Sequence, residues 1–360
     1  MKYGLLVTSP VGPDKNIGDY MQSIAAMQFL PQVDSYLEKE SICDFKTDEP
    51  TKAIMNAWYI WHPENWPPKE DNLIPLMTSV HIMPAMLDKM LENGGFEYFK
   101  KYEPIGCRDT NTAKMLQSKG IQAYFSGCMT LTLGVKYKKS YQRKGVIFVD
   151  PYIPPLHVVS SDANIFYWGN ALKSILYFLK NPFKATRLSK ISIFQHRYRL
   201  ISLYQASMFY HAYSKMFTDD VLFSAEYLSH MVPVGNHKTQ HDWICTAEAL
   251  LDKYSHARYV VTSRIHCALP CLGIDTPVIF TLGEVMKSDK NLTGSPGRYG
   301  GLMDFFRVAD YRNNRMQTSD DVLSTFNKLS TTYQFENKPE CRTYKNALIQ
   351  SCIDFIKNDK

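Results

Sequence analysis

Val260–Phe280 reads VVTSRIHCALPCLGIDTPVIF, and its reading decides the fold. Tyr259–Val261 is a short apolar strand and Thr262-Ser263-Arg264 a polar turn. Ile265–Leu272 has helical character, Gly273 breaks it, and Pro277–Phe280 is a second strand. Strand, turn, helix, strand is the repeating unit of an open parallel sheet. In such sheets ligands sit beyond the carboxyl ends of the strands, where helix N-termini offer N–H groups. Arg264 and His266 fall at that end, with Ser263 in the same turn. A guanidinium and an imidazole beside such N–H groups suit a phosphate or carboxylate. The residues alone leave a second option open, an Arg that caps the sheet and a His in the core.

Outward from this stretch the chain has 360 residues, enough for two domains of ordinary size. Of its eight cysteines none forms a CxxC pair. Cys267 and Cys271 share a helix face without a His pair at metal spacing, which favours buried small residues over zinc. Scattered cysteines fit a reducing compartment. The opening MKYGLLVTSP has too short an apolar run for a signal peptide, and no window offers ~18 unbroken apolar residues for a membrane span. The expectation is a cytoplasmic protein, with peripheral attachment at the inner face of the cell membrane left open.

Along the chain, Lys2–Thr8 reads as a first buried strand, and Asn16-Ile17-Gly18-Asp19 leads into a helix over 20–29. Asp19 is the expected N-cap, Gly18 permits a bend or close approach, and Gln22 lies in the first turn. An ordinary capped junction explains these residues equally well. Ala53–Trp61 and Leu73–Met83 read as strands. Trp58, Trp61 and Trp66 cluster in a Pro-rich loop whose rings suit the flat face of a sugar, or simply pin the loop by packing. Thr110–Lys119 is a helix closed by Gly120, Gly134–Lys144 a polar linker, and GVIFVDP the restart of a sheet. Asp242–Ser255 is a helix, the loop from Asp289 to Gly301 a candidate lid carrying Arg298, and Asp320–Thr331 and Lys338–Lys357 are further helices.

Residues 163–218 stand apart. They contain no Asp or Glu and eight Lys or Arg, among them Lys173, Lys180, Arg187 and Arg199. Without these eight, 33 of the 41 basic residues remain against all 35 acidic ones, a net of −2 for the rest of the chain. The stretch is rich in Phe, Tyr, Leu and Ile and reads mostly helical, with a break at Asn181-Pro182. Apolar helices with basic rims suit an anionic membrane surface. A substrate channel or a solvated helical face are the other options. No nucleic-acid-binding signature accompanies the charge.

Four motifs in order now carry a resemblance: Asn16-x-Gly18-Asp19 with Gln22; Cys107-Arg108-Asp109 with Gly127-Cys128-x-Thr130-Leu131; Ser229-His230-x-x-Pro233; and Ala257–Pro270, ARYVVTSRIHCALP. Together they resemble the polysaccharide pyruvyl transferase family, with the last motif the most specific. The resemblance implies two Rossmann-like domains facing a cleft, the GT-B arrangement. We set the bounds at 1–137 for the N-terminal, acceptor-side domain and 145–332 for the C-terminal, phosphoenolpyruvate-side domain. The latter carries the basic helical insertion, and a C-terminal helix over 333–360 follows. The resemblance also implies transfer of pyruvate from phosphoenolpyruvate to two hydroxyls of a sugar as a cyclic ketal. The setting is capsular or cell-surface polysaccharide synthesis on a polyprenyl-phosphate-linked sugar, with no cofactor beyond the donor substrate.

The resemblance implies, by position, that Arg264 and His266 contact phosphoenolpyruvate, and Arg108 or Arg298 is expected to assist. His266, and also His230, is assigned as proton donor and Asp19 as the base for a sugar hydroxyl. Asn16, Gly18, Gln22 and Ser263 complete the substrate-binding set, and Trp58 and Trp61 the acceptor surface. No metal is expected, because no carboxylate cluster resembles a magnesium site. Two alternatives remain: a nucleotide-sugar glycosyltransferase of the same fold, with Glu226 or Glu248 on a ribose, and a non-catalytic membrane-associated assembly protein.

Overall fold

The structure is a computed structural model that describes residues 1–358 apart from 11, 60, 138–141, 155, 156, 160–163, 167, 284–296 and 298. In the first third lie β1 (Lys2–Val7), β2 (Asp14–Asn16), α1 (Gly18–Met27), β3 (Ser35–Glu38), β4 (Thr51–Ile54), β5 (Trp58–Tyr59), β6 (Leu73–Leu76) and β7 (His81–Ile82). Helices α2 (Leu87–Met90) and α3 (Gly95–Lys101) follow, then β8 (Ile105–Cys107), α4 (Thr110–Ser118) and β9 (Ala123–Phe125). Strands β3-β1-β4-β6 form one sheet, parallel throughout. The buried run Leu5-Leu6-Val7 is apolar on both faces, as a sheet covered on both sides requires.

The second sheet is built from β10 (Val146–Val149), β13 (Glu226–Leu228), β15 (Tyr259–Thr262), β16 (Val278–Leu282), β17 (Arg307–Arg312) and β18 (Arg315–Gln317). Its order is β13-β10-β15-β16-β17-β18, with parallel pairing except at the β18 edge. Between β10 and β13 run a hairpin of β11 (His157–Val159) and β12 (Asn164–Phe166), then α5 (Trp168–Lys180), α6 (Pro182–Leu188), α7 (Arg199–Tyr213) and α8 (Asp219–Ser224). Helix α7 packs its buried Phe209 and Tyr213 rings on Phe148 of β10. Helices α5 and α6 lie outside α7, so they form an outer layer.

Among the described residues the halves are joined at several places, three of which bear on the site. First, β2 pairs antiparallel with β14 (Met231–Pro233). Second, α1 packs on α9 (Gln240–His256) and α10 (Ile265–Gly273), with Tyr20 stacked on Trp243 at 5.5 Å. Thr239 and Asp242 form a capping box at the start of α9. Third, α11 (Cys341–Lys357) returns to the first sheet. There the buried Lys52 Nζ donates to the carbonyls of Phe355 (2.9 Å), Ile356 (3.1 Å) and Asn358 (2.5 Å), putting a cation where the helix dipole is negative.

Several expectations needed correction. Asp320–Thr331 is not a helix beyond the single 3₁₀ turn Leu323–Thr325. Asp320 binds the Val322 and Leu323 N–H groups and the Arg307 guanidinium, and Ser and Thr follow, which favour turns over helix. The strands read over 53–61 and 73–83 each break in two, the second beside Ser79 at φ 54°. Asp19 does not cap α1: Ile17 is the N-cap residue, and Asn16 Oδ1 accepts the Gly18 N–H instead. Among its described residues the basic stretch is mostly helical, with β12 near its start and a non-helical link holding the 3₁₀ turn Ser192–Phe194 between α6 and α7, and it breaks at Asn181-Pro182 as read. Among the described residues no helix is long and apolar enough to cross a membrane.

Lys52→Met should lower the unfolding free energy by about 2–4 kcal/mol, because the last carbonyls of α11 lose their donor in a partly buried setting. Urea denaturation measures it, and a midpoint equal to wild type would show that water replaces the ammonium without cost.

Candidate active site at the carboxyl edge of the second sheet

The end of β10 sets the geometry. Asp150 follows Val149 in the left-handed region, at φ 36°, so its backbone turns sharply and its side chain serves neighbouring junctions. Its Oδ2 accepts from Arg264 Nε at 2.8 Å and from the His230 N–H at 3.0 Å. Its backbone carbonyl accepts from Ser263 Oγ at 2.6 Å and from the Ser263 N–H. One aspartate therefore positions the chain after β13 and the β15–α10 turn.

Arg264 is the N-cap residue of α10 in extended conformation, with its N–H held by Thr262 Oγ1 at 3.0 Å. Asp150 takes the Nε edge of its guanidinium, and the side chain remains 40% exposed. The two Nη groups make no hydrogen bond among the described residues, so that edge of the fork is available to a carboxylate or phosphate.

His266 is buried in the first turn of α10 and lies against Gly18. A Cβ on Gly18 would stand 2.8 Å from His266 Cβ and 3.3 Å from Nδ1, so only glycine lets α1 begin this close. Asp19 follows, bound to Lys15 Nζ at 2.7 Å. Burial alone would raise its carboxyl pKa. The Lys15 and Lys39 ammonium groups and His266 outweigh that and hold it below the usual range. Asp19, Gln22, Ser23, Lys39, Asn56 and Thr8 line a small polar cavity at the carboxyl edge of the first sheet. The structure thus brings Arg264, Ser263 and His266 together with Asn16, Gly18, Asp19 and Gln22 by way of the His266–Gly18 contact. Asp150, Lys15 and Lys39 join them and were missed in the sequence. Their signals were an Asp-Pro step at the exit of a buried strand and a Lys four residues before Asp19.

Other expected residues lie elsewhere. His230 is buried, with Nε2 on the Tyr254 hydroxyl at 2.8 Å. Its backbone does the joining: its N–H reaches Asp150 and its carbonyl accepts from the Ile17 N–H. Arg108 is buried beside Asp109, which accepts from the Thr112 N–H to cap α4 and meets His81 Nδ1 at 2.5 Å. Trp61 is 68% exposed, whereas Trp66 is buried among Tyr59, Tyr98 and Phe99. The Trp58 side chain and Arg298 lie outside the described residues. Cys267 and Cys271 are buried in α10. Among the described residues no group of three or more His, Cys, Asp or Glu could hold a metal ion.

A parallel-sheet α/β chain with a guanidinium, an imidazole and a carboxylate at facing helix starts has the parts for handling an anionic substrate and moving protons. A sequence model of the polysaccharide pyruvyl transferase family matches residues 88–282, more than half of the 360 residues, and the chain belongs to that family. The matched span includes Arg108, Asp150, His230, Ser263, Arg264 and His266. Asn16 to Gln22 and Trp61 lie before it. No curated protein and no solved structure matches the chain. Membership supports polysaccharide pyruvylation in general, and a transferase acting on a sugar acceptor.

Two outcomes test this geometry. Gly18→Ala should cost about 1–3 kcal/mol through the clash with His266, read as a lower urea midpoint and as displaced His266 ring resonances in NMR. Unmoved resonances would show that the two helix starts separate freely. Asp19 has a depressed pKa, so its stabilising contribution is complete above its unfolded value of about 3.9 and is lost as pH falls through the lower folded value. Asp19→Asn should therefore flatten the acid limb of stability against pH below about pH 4. Parallel acid limbs for the two proteins would refute the Lys15 and Lys39 assignment.

Proposed function

We propose that the chain transfers pyruvate from phosphoenolpyruvate onto two hydroxyls of one sugar, forming a cyclic ketal and releasing phosphate. The observation that carries this reading is the Asp150-anchored Arg264 at the start of α10, with His266 in the next turn and Asp19 beyond Gly18. Phosphoenolpyruvate has a phosphate and a carboxylate, and a fork with one edge fixed and the other open suits either. In the proposed chemistry His266 delivers a proton to the methylene carbon, giving an oxocarbenium-like centre at the neighbouring carbon. A sugar hydroxyl attacks that centre and Asp19 receives its proton. Phosphate departs as the second hydroxyl closes the ring. The two hydroxyl protons balance the new methyl group and the leaving phosphate.

The finer expectations extend this proposal. The two parallel sheets serve as the two Rossmann-like domains of a GT-B arrangement, with the acceptor on the side of the first sheet. The acceptor is a polyprenyl-phosphate-linked sugar of a capsular or cell-surface polysaccharide pathway, met by the enzyme at the inner face of the cell membrane. The glycosyltransferase alternative is less well supported. Glu226 is engaged by Lys253 at 2.5 Å and Glu248 by the Tyr137 hydroxyl at 2.6 Å, so each carboxylate offered for a ribose already has a partner.

A thermal-shift titration with phosphoenolpyruvate, beside a uridine nucleotide, tests the donor. At a hundredfold excess over Kd the wild type should gain about 2.7 kcal/mol, and Arg264→Ala should gain nothing. Arg264→Lys should saturate only at much higher donor concentration, because a point charge cannot reproduce the fork. A shift with the nucleotide alone would overturn the pyruvyl reading.

A further inference from the structure

Helix α5 leaves large apolar side chains uncovered. Leu172 is 62% exposed, Leu176 56% and Leu179 67%, and Phe183, just past the Asn181-Pro182 break, is 89% exposed. At 3.6 residues per turn, Leu172, Ile175, Leu176 and Leu179 fall within an arc of about 100°. The opposite face is occupied: Ser174 is buried and the Tyr177 ring stacks on His211 of α7 at 3.4 Å. The helix therefore packs inward through Ser174 and Tyr177 and turns its row of large apolar side chains to solvent. Soluble proteins rarely leave such a row open without a partner for it.

The charge around the row says what that partner is. Lys180 is exposed at its end, Arg187 and Lys190 are exposed in the segment that follows, with the Arg187 guanidinium over the Phe223 ring of α8, and Arg197 and Arg199 alternate with exposed Tyr198 and Leu200. No acidic residue occurs from 163 to 218. An apolar row with a one-sign basic rim, on a helix too short to span a bilayer, fits the interface of an anionic membrane, with the helix lying in its plane.

The fold also places α5 near a particular edge of the second sheet. Lys173 Nζ on α5 is held by Asn314 Oδ1 at 3.0 Å, in the turn that leaves β17. Strands β10, β15, β16 and β17 are parallel, so the exit of β17 is at the same edge of the sheet as Asp150 and Arg264. We propose that α5, with Phe183, is a membrane-docking element that seats the carboxyl edge of the second sheet on an anionic lipid surface. This placement is independent of the chemistry proposed for Arg264. It would bring any lipid-linked acceptor to the edge where that chemistry is located.

The test is co-sedimentation of the full chain with vesicles of phosphatidylcholine, with and without phosphatidylglycerol. Wild type should bind the anionic vesicles and lose binding as salt rises, since screening weakens attraction between separated charges. The triple variant Leu172→Gln, Leu176→Gln, Leu179→Gln should bind roughly tenfold less with an unchanged melting temperature. Lys180→Glu with Lys190→Glu should do the same. Phosphoenolpyruvate should still shift the melting temperature of both variants as it does wild type, which separates failure here from failure of the donor assignment. Equal binding to neutral vesicles, or full binding by the triple variant, would overturn the proposal. So would a wild-type dimer that the triple variant converts to monomer, because the face would then be covered by a second copy of the chain.

Discussion

The carboxylate of Asp150 is the interaction on which the site geometry depends. It sits where β10 ends, and two other segments of the second half converge on it: the exit of β13 through the His230 N–H, and the β15–α10 turn through Arg264, while the Asp150 backbone carbonyl accepts from Ser263 in the same turn. A non-glycine residue at φ 36° carries a conformational cost of order 1–3 kcal/mol. Four hydrogen bonds, one to a guanidinium, offset it. The strained turn is the means by which a single side chain reaches junctions from different strands. A residue in ordinary extended conformation would direct its carboxylate along the strand.

The same convergence extends to the first sheet through backbone rather than side chains. His230 passes the Asp150 contact on, because its carbonyl accepts the Ile17 N–H while β14 and β2 pair beside it. The start of α1 is thereby fixed relative to the start of α10, and Gly18 closes the remaining gap to His266. Lys52 and α11 secure the far side. Backbone pairing suits this task, since each ladder bond fixes register to within one residue and is insensitive to the side chains on either strand.

Much of this was legible in the sequence and some of it could not be. The β15–α10–β16 unit announced itself because the apolar run, the polar turn and Gly273 agree on one local structure. Arg264 and His266 could be placed at its carboxyl end for the same reason. Asp150 carried only a generic signal, an Asp-Pro step after a buried strand, because its role comes from partners 80 and 114 positions away. The misread cap at Asp19 has a similar origin: a carboxylate at a helix start normally binds the local N–H groups, but here Lys15 and Lys39 draw it aside. The false helix over 320–331 failed through long-range pairing as well, since Arg307 claims Asp320. The exposed row on α5 is the opposite case. Its apolar residues and basic surroundings were visible in the sequence, and only the packing on α7 could tell that the row stays open.

The electrostatics of the site explain why orientation matters more than net charge. Arg264 is paired with Asp150, Lys15 with Asp19, and Lys39 with Glu40 at 2.8 Å. These three cations therefore come with three carboxylates, as partly buried charges generally must. An anion drawn only by excess positive charge would gain little here. An anion recognised by direction gains more, because the Arg264 fork is already fixed along one edge and the start of α10 adds aligned dipoles. On the proposed reading the site would discriminate by geometry: a planar carboxylate or a phosphate oxygen pair could span the Nη edge of the fork, whereas a monatomic anion would make at most one good contact. The neutral pairing also limits indiscriminate polyanion binding at the site. The surplus positive charge is confined instead to residues 163–218, beside the apolar row of α5.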